Sequence, residues 1–145
     1  MRELPRQLTV DELAELFEGR TRFVERLAEL ENPLEAASDL IARVPEDELV
    51  EALAAHPQIG GRNLSQRSAQ EQGAHAEAAV ETELAYLNQV YEEKFGFRFV
   101  VFVAGRPRRE ILEVLRDRLG QTREEELEAA VHELVAIARD RWGRP

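Results

Sequence analysis

Apolar residues recur at intervals of three and four along most of the chain, with charged and polar residues between them. This spacing places the apolar side chains on one face of an α-helix and therefore predicts a series of amphipathic helices. The predicted buried faces are Leu13, Leu16 and Phe17; Phe23, Leu27 and Leu30; Leu40, Ile41 and Val44; Leu49, Val50 and Leu53; Ile111, Leu112, Leu115 and Leu119; and Leu127, Val131, Leu134, Val135 and Ala138.

Capping signals mark several helix starts. Residues 9–12 and 122–125 both read Thr-x-x-Glu, a capping box in which the hydroxyl and the carboxylate bind main-chain N–H groups at a helix start. Asn32 followed by Pro33 predicts another start, with Asn32 as the N-cap and Pro33 in the first helical position.

Three further helices are predicted from their boundaries. The first covers 46–55 and ends before a His-Pro pair, because a residue that precedes proline is disfavoured in the α conformation. The second covers about 65–93, with a break near Leu87, and the third covers 107–119.

One short apolar segment, about 97–104, does not follow the helical pattern. It is rich in aromatic and β-branched residues and is bounded by Gly96 and Gly105. A run of this length is either an extended segment or a buried helical turn, and its periodicity does not decide between them. Since one strand cannot form a sheet, we expect an all-α fold. The chain has no repeat or linker, so residues 1–145 are predicted to form a single-domain irregular multi-helical bundle.

Composition narrows the classes of function. The 145 residues include 19 basic and 29 acidic side chains, which gives a formal net charge of −10. This balance disfavours binding to nucleic acids or anionic lipids. The absence of cysteine excludes disulfides, a thiol nucleophile and thiolate-bound metals. No apolar run is long enough to span a bilayer, so we expect a soluble cytoplasmic protein.

His56 is the first candidate for chemistry. It follows a predicted helix directly and begins a loop that contains Pro57 and two glycines. A histidine has an ordinary pKa near 6.5, so at this position it is suited to proton transfer. The alternative is a C-terminal cap that interacts with the helix dipole.

Ser68, Glu71 and Gln72 form a second group, on one face near the start of the long predicted helix. A hydroxyl, a carboxylate and an amide in this arrangement suit a polar heterocycle, although they also suit an N-terminal cap on a solvated surface. His75 lies four residues after Glu71, so this pair could form half of a metal site.

Four motifs follow one another in a defined order. They are Leu53-x-x-His56-Pro57-x-Ile59-Gly60-Gly61-Arg62; Ser68-x-x-Glu71-Gln72; Leu87-Asn88-x-x-Tyr91-x-x-Lys94-Phe95-Gly96-Phe97-x-Phe99-Val100; and Arg118-Leu119 followed by Glu126-x-x-x-Ala130-x-x-Glu133-x-x-x-Ile137-Ala138-x-x-Arg141. In this order the chain resembles the decarboxylases of 2-oxo-4-hydroxy-4-carboxy-5-ureidoimidazoline (OHCU) over about residues 10–142.

The resemblance implies decarboxylation of OHCU to (S)-allantoin in urate degradation, without a cofactor or a metal, by an all-α protein that is commonly dimeric. It implies that His56 is the proton donor and that Glu71 assists it. The implied substrate contacts are Pro57, Ser68, Ala69, Gln70, Glu71, Gln72, the main chain of Phe99, Val100, Val101, Phe102 and Val103, and Arg141. The partners it implies are a small anionic substrate, a second copy of the chain, and a functional association with urate oxidase and hydroxyisourate hydrolase.

An anionic substrate needs a local positive site on a protein of this charge. The candidates are Arg62, Arg67, Arg106 and Arg141. Two other functions stay open at this point. One is a catalytically silent helical module that binds a purine-catabolic metabolite or a partner enzyme, and the other is a metal-dependent hydrolase that uses His56, Glu71 and His75.

Overall fold

The computed structural model describes residues 4–57 and 78–144, and these residues contain seven α-helices and no strand, which confirms the all-α class. The helices are α1 Val10–Phe17, α2 Arg22–Ala28, α3 Pro33–Ile41, α4 Glu46–Ala55, α5 Ala78–Phe95, α6 Arg108–Arg118 and α7 Arg123–Gly143. None of the described helices is long and apolar enough to cross a membrane.

Helix α7 organises the packing. It contacts α1, α3 and α4, while α2 packs against α1, α3 and α4, and α5 pairs with α6. The buried residues of α7 are Glu126, Leu127, Ala130, Val131, Leu134, Val135, Ile137, Ala138 and Arg141. Since most of these side chains are apolar, their burial is the main source of stability for this helix.

The two predicted capping boxes are confirmed. At the start of α1, the Thr9 hydroxyl accepts a hydrogen bond from the Glu12 N–H at 3.1 Å, and the Glu12 carboxylate accepts one from the Thr9 N–H at 3.0 Å. Thr122 and Glu125 make the equivalent bonds at the start of α7, at 3.2 and 3.0 Å. Both boxes depend on residues three positions apart, so the sequence alone predicts them.

Two local predictions are wrong. Asn32 precedes α3 as expected, but its side chain makes no capping hydrogen bond, because its backbone is left-handed with φ 53°. Asparagine tolerates this conformation, and the Asn32 N–H instead donates to the Arg6 carbonyl at 2.7 Å. The predicted break near Leu87 is absent: α5 is continuous from Ala78 to Phe95. The part of that predicted helix before residue 78 lies outside the described residues.

The segment between α5 and α6 is neither helical nor a strand. It starts after Gly96, whose φ is 81°, and ends in a turn at Ala104 and Gly105, with φ values of 52° and 74°. Its inward-facing side chains are Phe97, Phe99, Val100, Val101 and Val103, all of them buried. The apolar segment therefore crosses the core as irregular main chain, so its N–H and C=O groups need partners outside regular secondary structure.

Candidate active site

His56 lies at the C-terminal end of α4. Its backbone is extended, with φ −82° and ψ 137°, because Pro57 follows it, and its N–H donates to the Leu53 carbonyl at 3.2 Å. The side chain is only 7% exposed. Its Nδ1 atom is buried and has no hydrogen-bond partner in the part of the chain that the structure describes. Pro57 itself is half-buried.

The imidazole of His56 is neutral at pH 7. Burial, together with the positive charges of Arg141 and Arg98, lowers its pKa to about 3, and burial has the largest effect. A neutral imidazole gains little from the helix dipole. His56 therefore occupies the C-cap position of α4 but does not stabilise the helix through a positive charge. A nearby carboxylate such as that of Glu71 would shift the pKa of His56 upward, but Glu71 lies outside the described residues.

Arg98 connects His56 to the apolar segment. Its Nη1 donates to the His56 carbonyl at 2.5 Å and to the Ala54 carbonyl at 3.3 Å. Its Nε lies 3.4 Å from the Glu92 carboxylate of α5. The last carbonyls of a helix have no hydrogen-bond partner within the helix. The Arg98 guanidinium supplies donors to two such carbonyls at the end of α4.

Arg141 approaches the same region from α7. It is 2% exposed, and its Nη1 donates to the Leu16 carbonyl at 3.0 Å and lies 3.3 Å from the Glu18 carboxylate. Glu18 ends α1 in a left-handed conformation, with φ 63°. The effect of Arg141 on the pKa of His56 indicates that the two side chains interact electrostatically.

Gly19 brings the ends of α1 and α4 together. A Cβ atom at this position would lie 2.7 Å from the Ala55 Cβ, which is closer than two carbon atoms can approach. Gly19 follows Glu18, which binds Arg141, and Ala55 precedes His56. Glycine at position 19 therefore allows these two parts of the site to approach each other.

A buried polar network holds the middle of the apolar segment. The Arg118 guanidinium donates to the Val100 carbonyl at 2.7 Å and lies over the Phe99 ring, 4.7 Å from its centroid. Its Nε binds the Glu126 carboxylate at 2.8 Å, and the Tyr91 hydroxyl donates to the same oxygen at 2.6 Å. Burial and this carboxylate raise the pKa of the Tyr91 phenol, so it stays a donor.

The end of the segment is bound in the same way. Arg106 donates to the carbonyls of Phe102 and Val103, at 2.6 and 3.1 Å. The Phe102 N–H donates to the Glu133 carboxylate at 3.3 Å. The carbonyls of Val100, Phe102 and Val103 therefore already have partners, and Arg106, one of the predicted cations for the substrate, is used to bind main chain.

The described site brings together His56, Pro57, Arg98, Arg141 and Glu18. The predicted residues Ser68, Ala69, Gln70, Glu71 and Gln72, together with Arg62, Arg67 and His75, lie outside the described residues. Among those described, no three possible metal ligands form a group. Sequence analysis missed Arg98, although a charged residue between two buried phenylalanines was a signal, and it missed Glu18, which carries no such signal.

Comparison with known proteins gives a consistent result. The family model described as OHCU decarboxylase matches residues 2–143. The chain is 32% identical to the 2-oxo-4-hydroxy-4-carboxy-5-ureidoimidazoline decarboxylase of Xenopus laevis, covering 77% of this chain and 67% of that protein. It is 29% identical to the uric acid degradation bifunctional protein PucL of Bacillus subtilis (strain 168), covering 97% of this chain but 31% of that protein.

A solved structure agrees with these relatives. A crystal structure of OHCU decarboxylase in the presence of (S)-allantoin superposes with a TM-score of 0.74 at 29% identity, and the match covers 90% of this chain and 94% of that one. The chain thus spans nearly the whole of the solved protein, but less than a third of the bifunctional Bacillus relative.

Proposed function

Because the chain belongs to the OHCU decarboxylase family, we propose that it is a carboxy-lyase that converts OHCU to (S)-allantoin without a cofactor. The named decarboxylase relatives support the reaction, and the structure solved in the presence of (S)-allantoin supports the product. The name of the Bacillus relative supports a place in uric acid degradation.

The observation that carries the proposal is a buried neutral imidazole beside two guanidinium groups. Arg98 and Arg141 both lower the pKa of His56, and the buried Nδ1 atom of His56 has no partner among the described residues. Such a site suits an anion that also exchanges a proton. In a site with little water, these positive charges act strongly on a substrate carboxylate.

The reaction needs a carboxylate held out of the ring plane, followed by one proton delivered to one face. When the C–C bond to the carboxylate breaks, CO₂ leaves, and the electron pair is delocalised into the unsaturated ring. A proton from His56 then completes the product. A bound anion offsets the charges of Arg98 and Arg141, so substrate binding raises the pKa of His56 and favours the protonated donor that this step requires.

The remaining roles are proposed from the family resemblance. Glu71 assists His56, and Arg141 binds the substrate carboxylate. The other proposed substrate contacts are Pro57, residues 68–72 and the main chain of residues 99–103. Burial of Arg141 and its orientation against Leu16 and Glu18 support its role, because charge-assisted hydrogen bonds from a guanidinium to a carboxylate are strong.

The test is circular dichroism of the allantoin formed when urate oxidase, hydroxyisourate hydrolase and this protein act in sequence on urate. We expect rapid formation of the (S)-enantiomer, whereas uncatalysed decay of OHCU gives a racemate. His56→Asn should lower the rate about 100-fold or more, because it removes the group that transfers the proton.

His132→Asn is the matched control, since His132 lies on the exposed side of α7. It should leave the rate unchanged. If the protein forms no (S)-allantoin faster than a reaction without it, yet binds OHCU or a partner enzyme, the silent binding module is the better interpretation. A homodimer, association with the two preceding enzymes and a cytoplasmic location stay predictions of the sequence analysis.

A further inference from the structure

We propose that Arg98 is a positioning residue for His56: by binding the main-chain carbonyls of Ala54 and His56, it fixes the end of α4 and hence the place from which the imidazole meets the substrate. This inference rests on the proposed function of His56. It assigns a role to Arg98, which occupies the unspecified position between Phe97 and Phe99 in the third motif.

The geometry supports this role in two ways. One nitrogen, Nη1, binds both carbonyls, at 2.5 and 3.3 Å, so it fixes the direction in which the main chain leaves α4. The guanidinium also lies beside the Glu92 carboxylate at 3.4 Å, which connects the end of α4 to α5. Because the His56 backbone belongs to no helix, this contact restrains the residue where regular hydrogen bonding stops.

Arg98 also contributes, together with Arg141, to the positive charge near the imidazole. Among the described residues, the charged groups that shift the pKa of His56 are Arg98, from the segment after α5, and Arg141, from α7. Each of the two has a carboxylate beside it, Glu92 of α5 for Arg98 and Glu18 at the end of α1 for Arg141. Removing Arg98 therefore changes both the position of His56 and the pKa of its imidazole, whereas a purely structural contact would change only stability.

Two substitutions separate these effects. Arg98→Gln removes the positive charge and the two-carbonyl contact, whereas Arg98→Lys keeps the charge but loses the planar guanidinium. Arg123→Gln is the matched control. Arg123 also donates to a main-chain carbonyl, that of Phe95 at 2.9 Å, and lies over the Phe97 ring, but it pairs with Glu46 at the other end of α4.

The measurements are kcat and KM for OHCU and the pKa of the His56 imidazole, from ¹H–¹⁵N correlation spectra in which His56→Asn identifies the signal. Arg98→Gln should lower kcat by about 10- to 100-fold, which exceeds the rise in KM that the lost positive charge causes. It should also raise the pKa of His56 toward its ordinary value. Arg98→Lys should lower kcat but leave the pKa of His56 near that of the unmodified protein. Arg123→Gln should change neither.

Equal losses of kcat in Arg98→Gln and Arg123→Gln, with no change in the pKa of His56, would overturn the proposal. If Arg98→Gln does not fold, the kcat of Arg98→Lys decides: a value equal to that of the unmodified protein excludes a positioning role. An unmodified protein that forms no (S)-allantoin, but whose His56 pKa responds to Arg98→Gln, would overturn the proposed function while supporting the coupling between Arg98 and His56.

Discussion

Arg118 and Glu126 form an ion pair inside the core, with the Arg118 Nε 2.8 Å from a Glu126 oxygen and the Glu126 side chain 0% exposed. Two charges in this position are costly unless each finds further partners. Tyr91 donates a second hydrogen bond to the Glu126 carboxylate, and Arg118 donates another hydrogen bond to the Val100 carbonyl. The pair therefore connects α5, α6 and α7 to the irregular segment that crosses the core.

Breaking this pair should destabilise the protein strongly. Glu126→Gln leaves a buried guanidinium without its counter-charge, so we expect a loss of about 3–5 kcal/mol in the free energy of unfolding, measured by urea denaturation. The control is Glu113→Gln. Glu113 and Arg116 form an exposed ion pair within α6, so this substitution should lower the free energy of unfolding much less. Equal losses in the two variants would contradict the role assigned to the buried pair.

Stability should fall at mildly acidic pH because of His56. Its pKa is about 3 in the folded protein and about 6.5 when unfolded, so the unfolded chain binds one more proton between these values. Acidification therefore favours unfolding over this range, and the contribution of His56 between pH 7 and pH 5 is a loss of about 2 kcal/mol. His56→Asn should lose less stability than the unmodified protein over the same pH interval in urea denaturation, and an equal loss in the two proteins would contradict this assignment.

The turn after the apolar segment contains a backbone conformation that alanine adopts at a cost. Ala104 is exposed and has φ 52°. Ala104→Gly should raise the free energy of unfolding by about 0.5–1 kcal/mol, because glycine adopts a left-handed backbone freely. The opposite sign is expected for Ala85→Gly, at an exposed position inside α5, where glycine weakens the helix. A loss of stability in both variants would contradict this account of the turn.

The contact between Gly19 and Ala55 should be sensitive to a single methyl group. Gly19→Ala places two Cβ atoms 2.7 Å apart, so the ends of α1 and α4 must separate, at a cost of about 1–3 kcal/mol. Because His56 follows Ala55 directly, formation of (S)-allantoin should slow as well.

The double variant Gly19→Ala/Ala55→Gly tests this steric explanation. It restores the space, so it should be more stable than the sum of the two single changes predicts. Additive effects in the double variant would show that the two residues do not interact.

Features that depend on neighbouring residues could be predicted from the sequence. The bounds of α4 and the capping box of Thr9 follow from residues within a few positions, and the structure has them as predicted. The conformation of residues 97–104 could not be predicted, because it depends on distant side chains: Arg118 binds Val100 across 18 positions. The role of Arg98 depends on Ala54, 44 positions away, and that of Arg141 on Leu16, 125 positions away.

A single lysine, Lys94, accompanies 18 arginines in this chain. At least six of these arginines, all within the described residues, donate side-chain hydrogen bonds to main-chain carbonyls; they are Arg98, Arg106, Arg118, Arg123, Arg139 and Arg141. Codon usage can account for the number of arginines. It does not make arginine and lysine equivalent at these positions, because the compact ammonium of lysine lacks the planar arrangement of donors in a guanidinium. Replacement of any of these six arginines by lysine should therefore weaken a contact between a side chain and distant main chain.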